Sequence, residues 1–156
     1  MPPGEMTIRP AVIDDAGAIS RIILQALRQT NAADYPPEVI AAVAANFSPA
    51  AVVARMETRQ VLVAVAQAGV VGTASLDGGT VRSVFVHPGC HGRGIGAALM
   101  ASIEQLALAD GLSRLVVPSS VTAEGFYAKL GFMTLRDEYH GTERTIVMEK
   151  RLSPPA

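Results

Sequence analysis

The chain has 156 residues, a formal net charge of −1, 49% hydrophobic residues and 17% charged ones. That length suits one domain with its own core, and no apolar run approaches the ~18 residues of a membrane-spanning helix. With no basic block, no Trp, four Phe and three Tyr, the composition argues against nucleic acid as the main partner, because such binding rests on clustered Lys and Arg.

The opening Met1-Pro2-Pro3-Gly4-Glu5 has no basic region followed by an apolar one, so no secretory signal is read and a cytosolic protein is expected. Residues 6–10 read as a first strand. Asp14 or Asp15 offers an N-cap for a helix to about Arg28, with Ile19, Ile22, Ile23, Ala26 and Leu27 on one apolar face. Pro36-Pro37-Glu38 starts a second helix, since proline is tolerated in a first turn, and Val39, Ile40, Val43 and Phe47 share its apolar face. Ser48-Pro49 starts a short helix to about Glu57. Residues 60–66, 70–76 and 80–87 then read as strands joined by Ala68-Gly69 and Asp77-Gly78-Gly79. Connections this short make an antiparallel meander.

Residues 94–110 predict a helix with Leu99, Ile103 and Leu106 as its buried stripe and Gly111 just past its end. The strand 113–117 follows a helix, so it can run parallel to strand 80–87. Residues 121–130 form the last helix, ended by Gly131, and 132–139 and 145–152 close as a strand pair. The tail Ser153-Pro154-Pro155-Ala156 is expected to fray. No repeat, linker or low-complexity segment interrupts the chain, so residues 1–156 read as one α/β (α+β) domain with a core over about 6–152 and a mixed sheet.

Between strand 80–87 and helix 94–110 lie Gly89, Gly92, Gly94 and Gly96. A strand, a glycine-rich turn and a helix N-terminus make an anion site: the first N–H groups are unpaired, the helix dipole adds positive charge, and glycines let an oxyanion approach the backbone. Gly92, Gly94 and Gly96 are therefore expected to expose amides to a phosphate or pyrophosphate, with Arg93 adding charge. No Lys follows as a Walker A loop requires. Gly92-Arg93-Gly94-Ile95-Gly96 is G-x-G-x-G rather than the dinucleotide fingerprint, and Asp110 follows a helix instead of ending a second strand, which argues against NAD. Cys90, the single cysteine, excludes an internal disulfide and a Cys-based zinc site. It reads as a small side chain beside a ligand loop, with a thiol nucleophile served by His87 or His91 as the lesser alternative.

The motif His91-Gly92-Arg93-Gly94-Ile95-Gly96, after Val86-His87-Pro88, resembles the Arg/Gln-x-x-Gly-x-Gly/Ala motif of the GNAT superfamily of acyl-CoA-dependent N-acyltransferases, with His91 at the Arg/Gln position. A second block, Ser120 to Phe132 with Phe126-Tyr127 and Gly131-Phe132, is similar to the family's following helix, with Ser120 in place of its usual Asn. Tyr35 to Ile40 and the segments around His140-Gly141 and Met148-Glu149-Lys150 also resemble a bacterial subgroup of ill-defined substrate. The resemblance covers essentially the whole chain. It implies a mixed, mostly antiparallel sheet of about seven strands flanked by helices and splayed between the fourth and fifth strands.

The resemblance also implies direct attack by a primary amine, of a small molecule or a peptide, on the acetyl group of acetyl-CoA, with no metal. Val84, Phe85 and Val86 would meet the pantetheine arm, His91, Gly92, Arg93, Gly94, Ile95 and Gly96 the pyrophosphate, and Ser120 and Phe126 would complete the cofactor wall. Tyr127 matches the family tyrosine that protonates the departing thiolate; as a phenol of ordinary pKa about 10 it is protonated at neutral pH. A base is harder to find. The fourth strand carries Arg82 and Ser83 but no acid, leaving Asp77, Glu124, Glu143, His87 and His140 as candidates that read more simply as solvated side chains. Ser119 and Ser120 read as helix caps, or as holders of a water or of the acetyl group, and Arg82 as one half of a surface ion pair or as a site for an acidic substrate. The acceptor would be set by about residues 30–47, with Asn31, Asp34, Tyr35 and Glu38 suited to a cation, and by the connection 137–144. The missing strand carboxylate leaves a second reading, a non-catalytic acyl-CoA sensor or partner module. A homodimer is compatible with such a fold, though no pattern in the residues shows one.

Overall fold

The computed structural model describes residues 6–29, 31–141 and 143–152. The tail 153–156 and the opening 1–5, whose fates the sequence addresses, lie outside the described residues. Seven strands, β1 (Thr7–Pro10), β2 (Gln60–Ala66), β3 (Gly69–Asp77), β4 (Thr80–Val86), β5 (Arg114–Ser119), β6 (Met133–His140) and β7 (Glu143–Arg151), form one sheet in the order β1-β2-β3-β4-β5-β7-β6. Every neighbouring pair is antiparallel except β4 and β5. This is the mixed sheet expected, and the short Gly69 and Gly78 turns dictate its meander.

The pleat sorts side chains to two cores. On one face, Leu62 and Ala64 of β2 pack with Leu99, Met100 and Ile103 of α4 (Ile95–Ala109). On the other, Val63 packs under Ile19, Ile23 and Leu27 of α1 (Ala16–Gln29), with α2 (Pro37–Ala44) and α3 (Pro49–Met56) beyond. Adjacent residues of one strand thus serve opposite layers, as a period of two requires. The apolar α2 and α3 segments meet at a 57° bend, and among the described residues no single helix is long and apolar enough to cross a membrane.

Three boundaries differ from the sequence expectation, each for a local reason. Neither Asp14 nor Asp15 caps α1. A 3-10 turn at Ile13–Asp15 precedes it, and the Asp15 carboxylate instead accepts the Val12 N–H at 2.8 Å and the Arg9 guanidinium at 2.8 and 3.1 Å. Helix α5 covers only Glu124–Lys129, because Ser120 closes a turn first, its Oγ accepting the Ala123 N–H at 3.2 Å. The closing strand pair is Met133–His140 and Glu143–Arg151, a tighter hairpin than the spacing of apolar residues suggested. Ser48 does cap α3, accepting the Ala51 N–H at 3.2 Å.

The parallel pair β4 and β5 touches in one register position, Thr80↔Val116, where the Val116 N–H donates to the Gly79 carbonyl at 3.0 Å. Beyond it the strands part. β5 continues alongside β7 as far as Ser119↔Ile146, while β4 stays with β3. β4 also carries a bulge that no sequence pattern announced. Ser75 faces Arg82 and Thr73 faces Phe85, so β4 has one residue more than β3 in that interval, and Ser83 adopts φ 55°. The extra residue lets Val81, Val84 and Val86 all pack toward the α4 core while Phe85 packs toward the α1 core.

Helix α4 lies close on β3 because Gly72 has no side chain. A Cβ there would sit 3.0 Å from Leu99 Cδ1, 3.1 Å from Ile95 Cγ2 and 3.3 Å from the Phe85 carbonyl oxygen. Gly72→Ala is expected to destabilise by about 1–3 kcal/mol in urea unfolding through overpacking. Gly17→Ala, where a Cβ meets nothing within 4 Å, is expected to be neutral or to stabilise by up to about 1 kcal/mol.

Candidate active site

The parting of β4 and β5 opens a cavity of about 820 Å³, in the range usual for small-molecule sites. Its wall is drawn from both layers. Leu27, Ile40, Phe47 and Phe85 come from the α1 side, and Ile95, Phe126 and Tyr127 from the α4 and α5 side. Of the residues expected at the cofactor, Val84, Phe85, Val86, His91 and Gly92 line it, as do Gly94, Ile95, Gly96, Ser120 and Phe126. Arg93 does not: it is exposed outside the wall.

At the mouth, Gly92 and Gly94 adopt φ of +83° and +74°. Gly94 caps α4, and its carbonyl takes the first helical bond, from the Ala98 N–H at 3.0 Å. The amides of Ile95, Gly96 and Ala97 therefore have no partner within the helix, and no acidic residue stands in the first turn. A Cβ on Gly92 or Gly94 would meet nothing within 4 Å, so the space beside these residues is open. Gly96 has a different cause. A Cβ there would lie 2.9 and 3.0 Å from Phe126 ring carbons, so its first demand is room for a neighbouring side chain of the protein rather than for an anion.

The unpaired edge of β4 faces the same gap. The His87 N–H donates to the Val71 carbonyl at 2.8 Å on the β3 side. Alternation along the strand then turns the backbone groups of Val86 and Val84 toward β5, which has moved away. Backbone donors and acceptors at such an edge are a template for an added strand.

Tyr127 sits in the cavity wall with 4% of its surface exposed, edge-on to Phe126 and Phe132 at centroid distances of 5.0 and 5.5 Å. Its hydroxyl has no hydrogen-bond partner among the described residues. Burial pushes the Tyr127 phenol up from its ordinary value, so it stays protonated at neutral pH.

The serines are held locally. Ser119 Oγ donates to the Ser120 carbonyl at 2.8 Å, and Ser120 Oγ accepts the Ala123 N–H. Arg82 is paired with Asp77 at 3.3 Å, away from the cavity, and Asp77 also meets Arg59 at 3.7 Å. His87 Nδ1 accepts the Gly89 N–H at 3.0 Å. Cys90 lines the cavity, but among the described residues no hydrogen bond joins its thiol to His87 or His91. Of the candidate bases only Glu143 reaches the wall; Asp77, Glu124, His87 and His140 do not. Among the described residues no group of three or more His, Cys, Asp or Glu is placed to hold a metal ion.

Of the residues expected to meet an acceptor, Asn31 and Tyr35 line the cavity, whereas Asp34 and Glu38 stand outside it. Tyr35 has a structural task that the sequence did not signal. Its hydroxyl accepts the Val121 N–H at 2.7 Å and donates to the Arg144 carbonyl at 3.4 Å. Thr122 Oγ1 donates to Asp34 at 2.8 Å. Residues 34–35 are thereby strapped to the turn after β5 and to β7, partners 86 and 109 positions from Tyr35. Burial, with Glu143 and Asp34 nearby, raises the Tyr35 phenol against the opposing pull of the Val121 N–H.

Residues 31–152 match the family model of the acetyltransferase (GNAT) domain. The GCN5-related N-acetyltransferase from Rhodopseudomonas palustris is similar at 32% identity and TM-score 0.89, over 94% of this chain and 95% of that one. PaiA N-acetyltransferase from Thermoplasma acidophilum, solved in complex with coenzyme A, shares the fold at TM-score 0.78 and 20% identity, over 94% and 99% of the two chains. YncA from Salmonella typhimurium, solved with its cofactor acetyl-CoA, is similar at TM-score 0.64 and 25% identity, over 97% and 96%. No curated protein sequence gives a match. With the family model covering most of the chain and the splayed sheet in place, the protein belongs to the GNAT family of acetyltransferases.

Proposed function

We propose that the protein transfers the acetyl group of acetyl-CoA to a primary amine, with Tyr127 as the proton donor to the leaving sulfur. The observation that carries this reading is one continuous cavity through the splayed sheet, with free helix amides at its mouth and the unpartnered Tyr127 hydroxyl in its wall. Membership of an acetyltransferase family makes the protein an enzyme, so the sensor reading falls away.

The residues fit such a cosubstrate. The amides of Gly92 to Ala97 and the dipole of α4 suit a pyrophosphate. The outward backbone groups of Val84 and Val86 suit the amides of a pantetheine arm. Phe126 and Ile95 cover the arm and keep water from the thioester. Arg93, exposed at the same turn, adds positive charge from outside the wall.

In the reaction the amine nitrogen bonds to the thioester carbonyl carbon, and the C–S bond breaks with its electron pair on sulfur. Tyr127 gives its proton to that sulfur and recovers one from the nitrogen of the new amide. Burial raises the phenol and so keeps Tyr127 in its donor form.

Two measurements check Tyr127. Tyr127→Phe is expected to lower kcat by about 10²-fold or more, while isothermal titration shows acetyl-CoA affinity within a factor of two or so of wild type; unchanged kcat overturns the role. Linkage gives the second. Because the folded pKa lies above the unfolded value of about 10, stability is fully present below that pH and declines as pH rises beyond it. Tyr35 contributes in the same direction. The wild type is therefore expected to lose more stability between about pH 9 and 11 than Tyr127→Phe does, read by urea midpoints.

A further inference from the structure

We infer that the acceptor is an amine carried on an apolar body with a single positive charge, and that Glu143 pairs with its ammonium group, which loses one proton to solvent before the neutral amine attacks. This rests on the acyl-transfer reading above and names the substrate class for the same cavity.

The α1 side of the cavity, opposite the α4 turn, is built mostly from Leu27, Val39, Ile40, Val43, Phe47 and Phe85, with Asn31 and Tyr35 as its polar residues. Phe47 and Phe85, both in this wall, meet edge to face at 5.9 Å. Such a surface favours a ligand that brings alkyl or aryl area to bury. A hydroxyl- or amine-rich acceptor would find only Asn31 and Tyr35 there to pair its polar groups and leave most of them unpaired.

The charge inventory is equally narrow. Among the described residues that line the cavity, Glu143 is the only carboxylate, and Lys129 is the only Lys or Arg. Glu143 lies at the Tyr35 end, close enough to act on that phenol's titration. No ion pair or hydrogen bond engages its carboxylate among the described residues. Its neighbour Arg144, whose charge also reaches the Tyr35 phenol, is paired with Asp137, with contacts of 3.2 and 3.4 Å. A free carboxylate facing a pocket of hydrocarbon side chains fits one ammonium group at the end of an apolar molecule.

The same inventory argues against the neighbouring classes. A polyamine needs several carboxylates, but Asp34 is bonded to Thr122 and Glu38 is exposed outside the wall. An acidic amine would place its own carboxylate against Glu143, and among the described residues no arginine lines the cavity.

The test is a comparison of 2-phenylethylamine, ethanolamine, spermidine and glutamate as acceptors, followed by thiol release from acetyl-CoA. The expected result is a kcat/KM for 2-phenylethylamine at least tenfold above each of the others. Glu143→Gln should raise the KM for 2-phenylethylamine at least tenfold while leaving acetyl-CoA affinity unchanged by isothermal titration. Val43→Asn should raise the KM for 2-phenylethylamine and not that for ethanolamine, which separates loss of the apolar wall from a general loss of fold. Preference for spermidine, ethanolamine or glutamate, or an unmoved KM in Glu143→Gln, overturns this inference and leaves acetyl transfer standing. Wild-type protein that fails to bind acetyl-CoA overturns both.

Discussion

The structure depends on one missing ladder. β4 and β5 share a single register position and then separate, although each stays paired along its other side, β4 with one bulge. A parallel pair inside a sheet normally keeps its hydrogen bonds, since unpaired buried backbone groups are costly. Here the exposed edges face a cavity, where water or a ligand with amide groups can pair them. The gap and the cavity are two descriptions of the same geometric fact.

Other features serve that gap. The bulge at Ser83 lets Val84 and Val86 pack on the α4 side while their backbone groups face outward. Gly72 brings α4 down onto β3, which sets the height of the helix N-terminus at the mouth. Gly94 turns the chain into the helix with its first amides free. On the opposite layer, Tyr35 and Asp34 strap residues 34–35 to the turn after β5, so the α1 side of the cavity is tied by hydrogen bonds to distant parts of the chain. The cavity therefore joins a polar, amide-lined mouth to an apolar pocket through the plane of the sheet.

Much of this was legible in the residues. Apolar periodicity located the helices, short glycine turns forced the meander, and the spacing from Val86 to Gly96 and from Ser120 to Phe132 carried the resemblance to the family. What escaped was non-local. A one-residue bulge at Ser83 leaves no mark on an apolar run, because only pairing with β3 reveals the extra residue. Gly96 looked like its neighbours, yet the ring of Phe126, thirty positions on, fixes it as glycine. Asp34 and Glu38 looked suited to a cation, but hydrogen bonding and exposure keep them out of the wall. Glu143 gave the opposite case: one acid among several in sequence, it is brought to the cavity by the pairing of β7 with β5.

The most direct measurement of the central claim is a crystal structure of the protein with acetyl-CoA bound. The account requires the pantetheine arm between β4 and β5, hydrogen-bonded to the backbone of Val84 and Val86. It also requires the pyrophosphate on the amides between Gly92 and Ala97, and the sulfur within hydrogen-bond reach of the Tyr127 hydroxyl. Acetyl-CoA bound outside the gap, or with its sulfur remote from Tyr127, would contradict it.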